Sequence, residues 1–140
     1  MKINPYLSFN GTCKAAFTFY AQCLHGEIAM MMTPADAPAE AQCPPGSSDF
    51  ILHARLLVGD QVLMGSDAPE GRYQPAQGVF VSLNIDDPAE AERVYNALSQ
   101  GGTVHMPLQE TFWAQRFAML ADRFGTAWMI NCEKPNIGQA

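Results

Sequence analysis

The chain has 140 residues, 48% of them hydrophobic, with 14 acidic against 8 basic side chains and a net charge of −6. That length supports one core of ordinary domain size and excludes two full independent domains. The Lys and Arg residues are scattered singly, which argues against nucleic acid and anionic membrane surfaces as partners. No apolar run approaches the roughly 20 residues of a membrane span. The opening MKINPYLSFNG carries no secretory apolar region, so a cytoplasmic protein is expected.

In chain order, the first predicted strand, 3–10, alternates Ile3, Pro5, Leu7 and Phe9 with Asn4, Tyr6, Ser8 and Asn10. A helix over 12–24 follows, capped by Thr12, striped by Ala16, Phe17, Phe19, Tyr20 and Leu24, and stopped by Gly26. The next strand, 27–33, carries Met30, Met31 and Met32, read as core filler rather than as the lining of an adaptable apolar pocket. Residues 34–49, PADAPAEAQCPPGSSD, have neither helical nor strand periodicity. They are expected to be mobile without ligand, as a lid or as plain disorder.

A strand over 50–58 sets Phe50, Leu52, Ala54, Leu56 and Val58 against His53 and Arg55, which face either a sheet concavity or solvent. Gly59-Asp60 turns it into a partner strand, 61–66, and 67–78 reads as a linker. A strand over 79–86 repeats the alternation, Val79, Val81, Leu83 and Ile85 against Phe80, Ser82, Asn84 and Asp86. Asp87-Pro88 opens a second helix, 88–99, which Gly101-Gly102 ends before a strand over 103–107. Glu110, Trp113 and Arg116 then crowd a short segment with a carboxylate, an indole and a guanidinium. A hairpin closes the pattern, 116–121 and 126–132 around Asp-Arg-Phe-Gly, with Gly125 taking the turn.

FILHARLLVGDQVLMGSD matches RFAMLADRFGTAWMINCE in length and turn position, and each follows a strand, a helix and a short strand. The chain thus reads as an internal repeat of two βαβββ modules, about 1–67 and 78–133, within a single α+β domain. The four cysteines, Cys13, Cys23, Cys43 and Cys132, form no C-x-x-C pair and no zinc-like spacing, and are read as ordinary thiols.

The βαβββ-βαβββ order, the Phe19-Tyr20 of the first helix, HARLLVGD, LMGSD, ETFWAQRF and DRFGTAWMIN resemble the PhnB-like branch of the vicinal oxygen chelate superfamily. That superfamily includes glyoxalase I, bleomycin- and fosfomycin-resistance proteins and extradiol dioxygenases. The resemblance implies two modules whose antiparallel-rich sheets curl into incomplete cups, a site inside the cup, and a homodimer. Superfamily enzymes commonly hold a divalent metal on the first and last strands of each module. Those places fall here on Asn4 or Tyr6, Leu63 or Met64, Phe80, and Met129 or a neighbour, none of them His, Asp or Glu. No metal and no cofactor are therefore expected, with a displaced site on His53, Asp67, Glu110 or Asp122 as the alternative. Branch members often carry a demethylubiquinone methyltransferase label, which the sequence does not support, since no G-x-G occurs among its 11 glycines.

The expected function is metal-independent binding of a small molecule, apolar or aromatic and anionic. Tyr6, Phe80 and Trp113 supply contact and Arg55 and Arg116 charge. The alternatives are a metal-independent enzyme with His53 and Glu110 as acid and base, or an interaction protein that packs Trp113 and Arg116 in a dimer interface.

Overall fold

The computed structural model describes residues 1–36 and 50–135. Most of the segment expected to be mobile, 37–49, lies outside the described residues, and so does Cys43. The chain divides into two compact units, Met1–Pro75 and Ala76–Ala140.

Unit 1 comprises β1 (Tyr6–Phe9), α1 (Cys13–Leu24), β2 (Glu27–Met32), a 3-10 turn (Pro34–Asp36), β3 (His53–Val58) and β4 (Gln61–Asp67). The sheet order is β1-β4-β3-β2, with β1 parallel to β4 and the other pairs antiparallel. Helix α1 covers one sheet face, burying Phe17 and Tyr20 with Phe9, Ala54, Leu56 and Leu63. Each such large apolar side chain contributes about 1.5–3 kcal/mol. Gly65 lets the helix sit close, because a Cβ there would stand 2.8 Å from Cε1 of Phe17.

The ends of α1 depart from the sequence reading. Thr12 holds the cap position but makes no side-chain cap bond. Asp67 accepts from the Cys13 backbone N–H at 3.0 Å and from that of Ile51 at 2.9 Å. At the other end His25, not Gly26, takes the left-handed conformation, with φ 52°. Gly26 serves close packing instead, since its Cβ would meet the Leu57 carbonyl oxygen at 2.8 Å. A register shift between Ile28 and Met30 changes the facing of the methionines. Met31 pairs with buried Ala54 on the helix side, whereas Met30 and Met32 pair with Arg55 and His53 on the other face. Met31 alone thus faces the helix, and it is half-buried, so none of the three methionines belongs to the buried core.

Unit 2 repeats the plan with β5 (Val81–Asn84), α2 (Pro88–Leu98), β6 (Thr103–Gln109), β7 (Ala114–Ala121) and β8 (Ala127–Glu133). Its order, β5-β8-β7-β6 with β5 parallel to β8, is that of unit 1, so the repeat seen in the sequence is structural. Asp87 caps α2 through the Ala89 N–H at 3.1 Å, and Pro88 fills the first turn. Ala91, Val94 and Leu98 pack with Ala118, Leu120, Trp128 and Ile130 in the core. Buried Asp122 organises the β7–β8 turn, accepting from the N–H groups of Phe124 and Thr126 and from Trp128 Nε1 at 2.8 Å. Strand β5 starts two residues later than expected, leaving Val79 exposed. β6 runs on to Gln109, and as an edge strand it tolerates Pro107.

Candidate functional site

In each unit the helix covers one sheet face and leaves the opposite face as the place where side chains can meet a ligand. In unit 1 the pairing register lines up Tyr6, Met64, Arg55 and Met30 across all four strands of that face. Although β4 lies between β1 and β3, the Tyr6 hydroxyl reaches 3.1 Å from His53 Nδ1 and the rings stack with centroids 5.7 Å apart. The phenol thus lies across β4 as a floor. It donates to Nδ1 when His53 carries its proton on Nε2, leaving Nε2–H directed elsewhere. Arg55 is half-buried between two methionines. Among the described residues its guanidinium has no ion-pair or hydrogen-bond partner.

In unit 2 two rows occupy the open face. One is Ser82, Met129, Met119 and Met106, and the next is Asn84, Asn131, Phe117 and Gln109. Trp113, just ahead of β7, meets Phe117 edge-on at 5.2 Å and Phe112 at 4.8 Å. Its Nε1 donates to Asn131 Oδ1 at 3.3 Å, and Asn131 Nδ2 donates to Asn84 Oδ1 at 3.1 Å and to Glu133 Oε1 at 3.4 Å.

The residues singled out from the sequence separate accordingly. Tyr6, His53 and Arg55 come together in unit 1. Trp113 joins the open face of unit 2, and Phe80 stands beside β5, partly exposed. Glu110 is mostly exposed and pairs with Lys134 at 3.6 Å, so each candidate acid–base group is engaged within its own unit. Arg116 is opposite Cys132, with the parity of Ala118 and Leu120 that face α2, and donates to the Gln115 carbonyl at 2.7 Å. It is thus placed away from the Trp113 face. Burial, with Asp86 and Asp87, pushes the Cys132 thiol pKa up, and Arg116 opposes the shift.

Asn84, Asn131 and Met119 were not singled out beforehand, and Met129 only as one of the places where the resemblance puts the superfamily's metal. Their signal is the alternation in Ala127–Glu133, which sends Met129 and Asn131 to the face opposite buried Trp128 and Ile130. At the positions the resemblance gives to the metal, Asn4 or Tyr6, Leu63 or Met64, Phe80 and Met129, the side chains offer an amide or a phenol, an alkyl group or a thioether, a ring and a thioether. Without His, Asp or Glu this donor set does not fit a hard divalent ion. Among the described residues no group of three or more His, Cys, Asp and Glu side chains gathers to hold an ion.

The family described as 3-demethylubiquinone-9 3-methyltransferase matches residues 1–131. The chain is 33% identical to protein YjdN of Escherichia coli, over 96% of this chain and 97% of that one. The crystal structure of protein PA1353 from Pseudomonas aeruginosa superposes with a TM-score of 0.87 at 49% identity, covering 95% of this chain and 98% of that chain. A bleomycin resistance determinant encoded on the transposon Tn5 shares the fold alone, with a TM-score of 0.58 at 18% identity over 96% and 98% of the two chains. With unit 1 ordered β1-β4-β3-β2 and unit 2 ordered β5-β8-β7-β6, each sheet backed by one helix, the chain belongs to this PhnB-like family, within the glyoxalase/bleomycin-resistance fold.

Proposed function

We propose that the protein binds a small anionic molecule with an apolar or aromatic body, without a metal, on the open sheet face of unit 1. The observation that carries this reading is Arg55, a half-buried residue set between Met30 and Met64 whose guanidinium has no acceptor among the described residues. A buried-side charge without a partner is costly, and a ligand carboxylate supplies both its counter-charge and a bidentate acceptor. Met30, Met64 and the Tyr6 ring offer a pliable apolar surface for the rest of the molecule. His53, held by Tyr6, adds a second polar contact.

The His53–Tyr6 bond also favours a second reading, in which the oriented imidazole moves a proton on the bound molecule and the protein is an enzyme. The proposal further includes a cytoplasmic location, one domain formed by both modules, and a homodimer whose contact surface includes Phe112 and Trp113. Titration with 2-naphthoate, read by NMR of 13C-methyl-labelled methionines, tests the binding reading. Shifts at Met30 and Met64 that Arg55→Met abolishes are expected. Shifts that survive that substitution would refute Arg55 as the anchor.

A further inference from the structure

We infer that the open face of unit 2 is a second binding site, selective for a neutral flat ring that carries a carbonyl acceptor. The inference rests on the reading that the open sheet faces take ligands, but it concerns different residues and a different charge class. Its starting point is that an indole N–H can only donate. Trp113 Nε1 donates to Asn131, so the Asn131 oxygen must face the indole and its NH2 must face away, where it reaches Asn84 and Glu133. Asn84 must then turn its own oxygen towards Asn131. Its NH2 is left pointing outward from an exposed position, with no acceptor among the described residues. One irreversible donor thus sets the direction of the whole amide chain, and the chain ends in a fixed donor.

The surroundings define what that donor meets. Two residues along the strands, about 6.6 Å away, begins the row Met129, Met119 and Met106, all half-buried. Thioethers pack favourably on aromatic rings and adjust to their outline, so a two-ring molecule spans from the Asn84 amide to this row. Glu133 places a carboxylate at the Asn131 amide, and no basic side chain shares the two rows, so charge selects a neutral acceptor over an anion. This is the opposite preference from that of Arg55 in unit 1.

The test uses the whole protein with 13C-methyl methionine and three probes of similar outline: coumarin, naphthalene and 2-naphthoate. Coumarin should shift Met119 and Met129, with naphthalene and 2-naphthoate at least about tenfold weaker there. Asn84→Asp and Asn84→Ala should each weaken coumarin about tenfold while leaving the Met30 and Met64 signals in place, which also reports that the fold is intact. Coumarin that moves none of Met106, Met119 and Met129 up to its solubility limit would overturn the inference. So would naphthalene or 2-naphthoate binding there equally well, or coumarin binding unchanged in both Asn84 variants. Behaviour of 2-naphthoate at Met30 and Met64 bears only on unit 1, so the two readings fail separately.

Discussion

Asp67 caps α1 from 54 residues away in the chain, its Oδ1 accepting the Cys13 backbone N–H at 3.0 Å. The same carboxylate holds Ile51 at the entrance to β3, so one buried side chain joins the first helix to the central hairpin. Hydrogen bonds to a charged group contribute about 1.5–3 kcal/mol each. Asp67→Ala is expected to lower unfolding stability by about 3 kcal/mol or more, and Thr12→Ala by less than about 0.5 kcal/mol, in urea titrations. Equal losses would return the capping role to Thr12.

Cys13 gives stability an alkaline slope. Its thiol is fully buried and its pKa is pushed up to about 12 from 9.0, by burial first and by the Asp67 charge second. Between those values the folded state keeps a proton that the unfolded state has lost. Stability therefore falls as pH rises from about 9 to 12, by up to about 1.4 kcal/mol per pH unit. Cys13→Ala should flatten that limb of the stability profile, and an unchanged slope would assign it to other groups.

Gly65 is the place where β4 touches the Phe17 ring. Gly65→Ala would put a methyl carbon 2.8 Å from that ring and 2.9 Å from the Leu7 carbonyl oxygen. Overpacking of this kind costs about 1–3 kcal/mol. Thermal unfolding should show a clear drop, whereas an unchanged midpoint would mean that α1 slides outward freely.

The proposed homodimer concerns Phe112 and Trp113. Phe112 is 85% exposed while its ring meets Trp113 edge-on, an arrangement suited to a desolvated contact. Sedimentation at micromolar concentration is expected to show a dimer that Trp113→Ala weakens by roughly 2 kcal/mol or more. Wild-type monomer under those conditions would end the proposal. Elemental analysis of untagged protein is likewise expected to find no stoichiometric zinc, nickel, manganese or iron, and one such ion per chain would contradict the donor-set argument.

Much of the fold was legible because local chemistry agrees with it. Gly59 and Gly125 take positive φ at their turns, Asp87-Pro88 begins α2, and the period-two runs mark the strands that pair. What the sequence did not disclose depends on residues distant in the chain. Asp67 displaced Thr12 as a cap because the sheet brings it to the helix end. The register shift near Ala29 reversed the facing of Met30 and Met32, and no alternation pattern signals a bulge of that kind. Of the candidate site, His53 and Arg55 were readable from strand parity. The Trp113–Asn131–Asn84 chain was not, since Asn84 and Asn131 meet only through the parallel pairing of β5 with β8. Arg116 shares the parity of Ala118 and Leu120 without any shift between them, so plain alternation along β7 already sets it on the face opposite Phe117.

The parallel pairing of β1 with β4, Tyr6 to Phe9 against Met64 to Asp67, also fixes an order of events during synthesis. The first strand of unit 1 has its neighbour at the far end of that unit, so α1 can form early but β1 has no seat until Asp67 has been made. The β3–β4 hairpin is local in sequence and is expected to close before β1 docks, because the β1–β4 pairing carries a loop-closure cost that grows with the intervening chain. A fragment ending before Gln61 therefore contains β2 and β3, the strands that meet α1 most, but leaves β1 without its partner strand.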